Sequence, residues 1–230
     1  MDKFIGKWAN PLDDSLLEQS ARRGKQYDFD QIAEDIKEKL RFEKNDVVLD
    51  VCCGNVALTK RIAPLCKKIH GVDFSATLLK TAEKIIIEEG ISNLETHLSD
   101  AMKIDELFPA GTFDKAYCYF SFQYFSPEKR ELLLEKLLRV TKPGGIIFIG
   151  DIPDKTRMWS FYETKFKFYR ERISHILKGK EGECDLGWWV YPQEIQAWGA
   201  KHKLNVSILK QSEKLPHAHY RFDVLIQKTN

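Results

Sequence analysis

No run of apolar residues in this 230-residue chain approaches the roughly 20 that cross a bilayer. Its opening residues, Met1-Asp2-Lys3-Phe4, begin no apolar segment of signal-peptide length. A membrane partner is therefore not expected. Charge of one sign is also scarce. The net charge is +2, too small to predict nucleic-acid binding from bulk electrostatics. Cysteines number five: Cys52, Cys53, Cys66, Cys118 and Cys184. Their odd count and scattered spacing make neither a disulfide framework nor a zinc ligand set. No metal is expected, and the chain reads as reduced and cytoplasmic. Repeats and low-complexity segments are lacking too.

What is present suits one α/β domain: 43% hydrophobic and 30% charged residues over a length that buries a sizeable core. Residues 11–41 read as two helices. In the second, Asp28 and Gln31 form a capping box, and Ile32, Ile36 and Leu40 recur at helical spacing. The pattern then switches. Val47-Val48-Leu49 reads as a strand, followed by a helix through Leu58, Ile62 and Leu65. Further strands are expected at Ile69–Val72, Leu94–Leu98, Phe113–Tyr119 and Ile146–Gly150. Between them lie a helix capped by Ser75 and ended by Gly90, and a leucine-rich helix over Glu128–Val140. This alternation implies right-handed crossovers and a parallel sheet covered on both faces.

The tail differs. After a helix over Gln193–His202, the runs Leu204–Lys210 and Arg221–Lys228 are joined directly, which favours an antiparallel pair. The expected fold is thus a three-layer, Rossmann-like, seven-stranded sheet: five parallel strands plus a C-terminal antiparallel hairpin. As one domain it divides into an N-terminal helical cap (1–44), a core (45–151), a helical aromatic segment (152–191) and a terminal helix and hairpin (192–230). In 152–191, Met158, Tyr162, Phe166, Tyr169, Ile173 and Ile176 predict one long helix. Eight Lys or Arg against two Glu between Lys155 and Lys180 make it locally basic.

Open parallel sheets bind ligands outside the carboxyl ends of their strands. Asp50-Val51-Cys52-Cys53-Gly54-Asn55 follows the first strand, and its small residues let backbone approach a ligand. Asp73, with Phe74 and Ser75, follows the second, where a carboxylate can accept both hydroxyls of a ribose. Asp100-Ala101-Met102 follows the third and suits an adenine amino group and ring face. Tyr119-Phe120-Ser121 follows the fourth. Acidic residues at three successive strand ends fit a nucleoside-like ligand that is not strongly anionic. No G-x-G-x-x-G loop for a pyrophosphate follows Leu49, which argues against a nicotinamide-dependent oxidoreductase.

From Val47 to Asp151 the chain resembles the class I S-adenosylmethionine-dependent methyltransferases. Val47-Val48-Leu49-Asp50-Val51-Cys52-Cys53-Gly54-Asn55 is similar to the family's first motif, and Gly71-Val72-Asp73-Phe74-Ser75 to its second. Ser99-Asp100-Ala101 is similar to the third, and Phe113-Asp114-Lys115-Ala116 opens the fourth. Leu138-Arg139-Val140-Thr141-Lys142-Pro143-Gly144-Gly145 resembles the turn before the fifth strand. Two positions depart. Where the family carries glycines, this chain has Cys52 and Val56. Val56 either restricts the backbone beside the ligand or already lies on the following helix and packs.

The resemblance implies S-adenosylmethionine as cofactor, bound by Asp50, Cys52, Cys53, Gly54, Asn55, Asp73, Phe74, Ser75, Asp100, Ala101, Met102 and Tyr119. Tyr27, with Lys25 and Trp8, lies on an extension that folds over the cofactor in relatives. Methyl transfer is an in-line displacement in which the protein supplies alignment and desolvation. A base serves only acceptors that lose a proton. His217 and His219, on the loop joining the last two strands, and Asp151 are the candidates. Gln123, Tyr124, Trp8, Phe120, Tyr162 and Tyr220 are candidate acceptor-binding residues, Phe120 serving equally as core. The aromatic 152–191 segment is placed as a lid setting specificity; alternatively the same aromatics meet a second copy in a homodimer. No Asn/Asp-Pro-Pro-aromatic tetrad follows Tyr119 and no Pro-Cys loop exists, so the cysteines read as packing residues. The expected function is methyl transfer to oxygen or nitrogen of a small-molecule metabolite. The alternatives are an RNA- or protein-directed enzyme using the basic 155–180 face, and a catalytically silent cofactor-binding protein.

Overall fold

The computed structural model describes residues 28–162, 164–177, 183–184 and 187–229. The first of the two helices expected over 11–41 lies largely outside them. The second is α1 (Phe29–Leu40). Asp28 caps it through Oδ1, which accepts the N–H groups of Asp30 and Gln31 at 3.0 and 3.1 Å. Ile32, Ile36 and Leu40 are buried, as their spacing requires.

Strand β1 (Val47–Val51) is followed by a short helix α2 (Thr59–Ile62) and a 3-10 turn (Ala63–Leu65), then β2 (Lys68–Asp73) and α3 (Ala76–Glu88). Next come β3 (Leu94–Leu98), α4 (Ile104–Leu107), β4 (Phe113–Tyr119), α5 (Pro127–Val140) and β5 (Thr141–Pro153). Ser75 caps α3, its Oγ accepting the N–H of Leu78 at 3.3 Å. Strand β5 outruns its expected bounds at both ends, with register breaks against β4 at Phe113/Lys115 and against the last strand of the chain at Ile149/Ile152.

The long helix expected in 152–191 is broken in two. A 3-10 turn (Lys155–Arg157) leads into α6 (Met158–Phe161), and α7 (Lys165–Leu177) follows. Tyr162, between them, is extended, at φ −90° and ψ 134°. No Pro or Gly marks this break. Instead Phe161 packs against Trp189 and Tyr220, with ring centroids 5.7 and 5.3 Å away, and Tyr162 packs back on Phe168 at 5.6 Å. Tertiary aromatic packing overrides the helical period. Phe166, Tyr169, Ile173, Ile176 and Leu177 on α7 face outward. A two-stranded hairpin, β6 (Glu183–Cys184) and β7 (Gly187–Trp188), precedes α8 (Pro192–Lys201), β8 (Asn205–Lys210) and β9 (Arg221–Gln227).

The main sheet has seven strands in the order β3-β2-β1-β4-β5-β9-β8. β1 to β5 pair in parallel, β9 runs antiparallel to β5, and β8 antiparallel to β9. This is the expected Rossmann-like sheet. Alternate residues feed two cores. Leu49 and Val51 pack on one face with residues of α5 and α8, while Val48 packs on the other with residues of α1, α2 and α3. Strand order reverses between β1 and β4, so the ligand crevice is expected at their carboxyl ends. Among the described residues no helix is long and apolar enough to cross a membrane.

Candidate functional site

Three loops meet at Asp73, the last residue of β2. Its Oδ2 accepts the N–H of Gly54 at 2.9 Å, from the loop after β1. Its Oδ1 accepts the N–H of Ser75 at 2.9 Å, and its carbonyl oxygen accepts the N–H of Ser99, after β3, at 3.0 Å. The N–H groups of Cys52 and Cys53 both reach the Val72 carbonyl, at 2.8 and 3.1 Å. The loop after β1 is thus strapped along the end of β2. Burial pushes the Asp73 carboxyl above its usual range, and the backbone donors of Ser75, Gly54 and Phe74 oppose that.

Asp50, expected at the ligand surface, lies beneath the loop. Its Oδ2 accepts the hydroxyls of Thr59 at 2.6 Å and Tyr117 at 2.8 Å. Burial pushes its carboxyl up to about 7, against the pull of both hydroxyls; the charge on Asp73 adds a smaller push. Cys52 and Cys53 are reduced; a hydrogen bond with Cys118, and then burial, push the Cys52 thiol well above its usual range, and burial does the same for Cys53. Neither offers a ready thiolate. Cys53 fits because Gly71 faces it: a Cβ there would sit 2.8 Å from the Cys53 sulfur.

β1, β4 and β5 each reach the rim through a non-glycine residue in the left-handed region: Cys52 (φ 65°), Phe120 (φ 66°) and Asp151 (φ 65°). Such backbone costs about 1–3 kcal/mol per residue and concentrates at ligand sites. Val56 is a fourth case, at φ 60°. It packs, wholly buried, but lies before α2 rather than on it, so of its two expected readings neither holds whole.

Beyond β3, Asp100 is exposed and caps the turn Ala101–Lys103, its Oδ1 accepting the N–H of Met102 at 2.9 Å. Ala101 is buried and Met102 half-buried, while Phe74 is 36% exposed beside Asp73. Asn55 is half-buried and closes a local turn, its Oδ1 accepting the N–H of Ala57 at 3.2 Å. Tyr119, expected at the cofactor, is instead core: its ring stacks on Phe148 at 6.3 Å and covers Gly150, where a Cβ would sit 2.1 Å from the ring.

The acceptor side is built from β4, β5 and the hairpin. Phe120 meets Phe29 of α1 edge-on at 6.5 Å. Gln123 is buried; its Nε2 donates to the Phe120 carbonyl at 2.6 Å, and its Oε1 has no partner among the described residues. Gly187 (φ 105°) lies against Gln123, where a Cβ would sit 2.5 Å from the Gln123 carbonyl oxygen. The hairpin therefore docks on the half-buried Tyr124 turn. Tyr220 sits in an aromatic group with Phe161, Trp189, His217 and His219, the last two rings 5.4 and 4.9 Å away. His217 is half-buried and His219 exposed. Tyr162 joins the group through Phe161 at 5.2 Å.

Asp151 carries a buried ion pair. Its Oδ2 lies 2.6 Å from Arg221 Nη1, its Oδ1 accepts Gln211 Nε2 at 3.2 Å, and its N–H donates to Asp223 Oδ1 at 2.8 Å. Lys39 of α1 closes the network on Asp223 at 2.6 Å. Both carboxylate oxygens of Asp151, expected as a base, are thus engaged by Arg221 and Gln211. Trp8, Lys25 and Tyr27 lie outside the described residues.

Residues 48–145 match a family model described as a methyltransferase domain. Over these residues the chain is similar to a methyltransferase domain, with the fold of the class I S-adenosylmethionine-dependent enzymes. The cofactor of such domains is S-adenosylmethionine. A demethylmenaquinone methyltransferase of Geobacillus stearothermophilus is 29% identical over 140 residues, covering 59% of this chain and 57% of that protein. The chain thus spans less than two thirds of the length of that relative. Two solved structures share the fold. An S-adenosylmethionine-dependent methyltransferase from Clostridium acetobutylicum is 16% identical with a TM-score of 0.66, over 89% of this chain and 93% of that one. An rRNA methylase from Streptococcus thermophilus is 17% identical with a TM-score of 0.51, over 88% of this chain and 94% of that one. The methyltransferase fold therefore spans RNA-directed members, and the fold alone does not choose the acceptor.

Several residues of this domain and its flanks escape a reading of sequence. Thr59 and Tyr117 hold Asp50, and Arg221, Gln211 and Asp223 hold Asp151. Nothing local marks them, since partners stand up to 72 positions apart. The one available signal was Gly187, next to two tryptophans in an otherwise apolar run.

Proposed function

We propose that this chain binds S-adenosylmethionine along the carboxyl ends of β1, β2 and β3 and methylates a small, planar acceptor held under the 152–191 segment. The observation that carries the reading is the Asp73 junction, where the carboxylate and the backbone carbonyl of one residue together tie all three cofactor-side loops. When bound, the cofactor supplies an electrophilic methyl group for in-line displacement. Asp73 would hold the ribose, Asp100 and Met102 the adenine with Phe74 beside it, and the backbone from Cys52 to Asn55 the remainder. The chemistry fits: both carboxylates keep acceptor capacity for hydroxyl and amino donors, and among the described residues no cationic side chain forms an ion pair with either, as a pyrophosphate site would need.

On the acceptor side, the orphaned Oε1 of Gln123 is a buried acceptor suited to a ligand N–H or O–H. Phe120, Tyr124, Tyr162 and Tyr220 supply apolar walls. His217 and His219 would take a proton from a hydroxyl or amine. Asp151 acts by holding the β5 bend in place. The relatives' name, demethylmenaquinone methyltransferase, supports a quinone-type ring as acceptor. A ring carbon therefore joins oxygen and nitrogen as the receiving atom. Four described cysteines are free thiols, which suits the cytoplasm.

Incubation with methyl-labelled cofactor and a panel of phenols, amines and reduced quinones tests this. Label in an extractable small product is expected. Label retained on RNA or protein overturns the small-molecule reading, and binding without transfer to any acceptor returns the silent cofactor-binding reading.

A further inference from the structure

We propose that His70, Glu95 and His97 form a site for one first-row divalent transition ion, such as Zn2+, on the β2–β3 side of the sheet. The ladder builds it. His70 stands opposite Glu95 in the parallel pairing, and His97 lies two residues along β3, so all three share one face. One donor atom from each lies within 4.8 Å of the others.

The spacing is close to what zinc requires. His70 Nδ1 and His97 Nε2 are 3.0 Å apart. Two nitrogens bound to one tetrahedral zinc at about 2.0–2.1 Å would stand about 3.4 Å apart. Glu95 oxygens lie 4.0 Å from His70 Nδ1 and 3.9 Å from His97 Nε2. Closing that gap takes a side-chain rotation. Glu95 is half-exposed and free to make it, apart from its 2.7 Å ion pair with Lys68, itself 46% exposed. Such exposed pairs are weak, and a divalent ion can displace the ammonium.

The rings are held for the task. Phe108 lies edge-on to His70 at 5.4 Å and to His97 at 5.1 Å, and Phe113 to His70 at 5.7 Å. The side chains are still 13% and 22% exposed, so an ion can enter. Two imidazoles and one carboxylate leave a fourth position for water and favour zinc over the all-oxygen preferences of Mg2+ and Ca2+. A bound ion would staple edge strand β3 to β2. His70 and His97 each precede by three residues the acids Asp73 and Asp100 at the cofactor rim.

The full chain, stripped with chelator, would be titrated with Zn2+, Co2+ and Mg2+ by calorimetry, visible absorption and thermal melting. The proposal expects one Zn2+ or Co2+ per chain, a Co2+ spectrum of a low-coordinate histidine site, a raised melting midpoint and no response to Mg2+. Glu95→Gln and His97→Gln should each weaken binding at least ~10-fold. Lys68→Gln should tighten it, because a competing cation is gone. Glu95 is exposed, so its variant keeps the test valid should His97→Gln fail to fold. Absence of stoichiometric Zn2+ binding, or Zn2+ affinity unchanged in both ligand variants, overturns the site and leaves a hydrogen-bonded histidine pair. Cofactor calorimetry on the stripped chain reads the methyltransferase proposal separately.

Discussion

The Asp73 carboxylate accepts the Gly54 N–H at 2.9 Å, and through that bond the end of β2 sets the shape of the loop after β1. A ligand lying across these loops would depend on Asp73 twice, for direct contact and for the loop itself. Asp73→Ala should therefore lower cofactor affinity by about 100-fold or more, the worth of charge-assisted bonds plus lost preorganisation. Asp73→Asn keeps one acceptor oxygen and should fall between. Calorimetric titration of the two variants checks the order; equal affinity in all three proteins would remove the assigned role.

Val56 combines full burial with a left-handed backbone. Truncation to Ala loses buried carbon yet keeps the strain, costing about 1–2 kcal/mol. Val56→Gly loses more carbon but relieves strain on the order of 1–2 kcal/mol. The smaller residue should thus be the less harmful. Urea unfolding of both variants reads this directly, and the opposite order would show that the φ of 60° is not strained.

Asp50 makes stability depend on pH with a definite sign. Its carboxyl titrates near 7 in the fold against an ordinary value of 3.8. Between those values the native state keeps a proton that the unfolded chain releases. Its contribution should therefore fall as pH rises from about 4 to about 7 and level off above, by a few kcal/mol at order of magnitude. Asp50→Asn has no proton to lose. The difference between wild-type and variant unfolding free energies, measured from pH 4.5 to 8, should move in favour of the variant up to about pH 7 and then level off.

Arg221 and Asp151 form a buried pair at the β5 bend. Arg221→Met leaves a charge without its partner and should cost about 3–5 kcal/mol, while adding Asp151→Asn should restore part of it.

Gly187→Ala would place a Cβ 2.5 Å from the Gln123 carbonyl oxygen, at a φ of 105° that alanine resists. The hairpin should lift from the turn after β4. KM for the acceptor should rise several-fold with cofactor affinity unchanged, a split that separates the two halves of the site.

Much of the fold was legible because its signals are local. Asp28 and Ser75 announce helix starts, and β3 and β4 have the bounds their apolar runs predict. The order of acids at Asp73 and Asp100 also follows from strand ends alone. What escaped is non-local. The break at Tyr162 comes from rings contributed by Trp189 and Tyr220, so the helical period runs through it unmarked. Asp50 looked like a ligand group until Thr59 and Tyr117 claimed it from either side. Tyr119 looked like a wall of the crevice until Gly150, on the neighbouring strand, made room for its ring. In each case the deciding partner is remote in sequence and becomes a neighbour only through the sheet.

The central claim is that the loops joined at Asp73 bind S-adenosylmethionine. Calorimetry of the full chain with that cofactor tests it most directly. Saturable one-to-one binding in the micromolar range is expected, weakened by Asp73→Ala; no heat of binding at millimolar cofactor from a folded chain would contradict it.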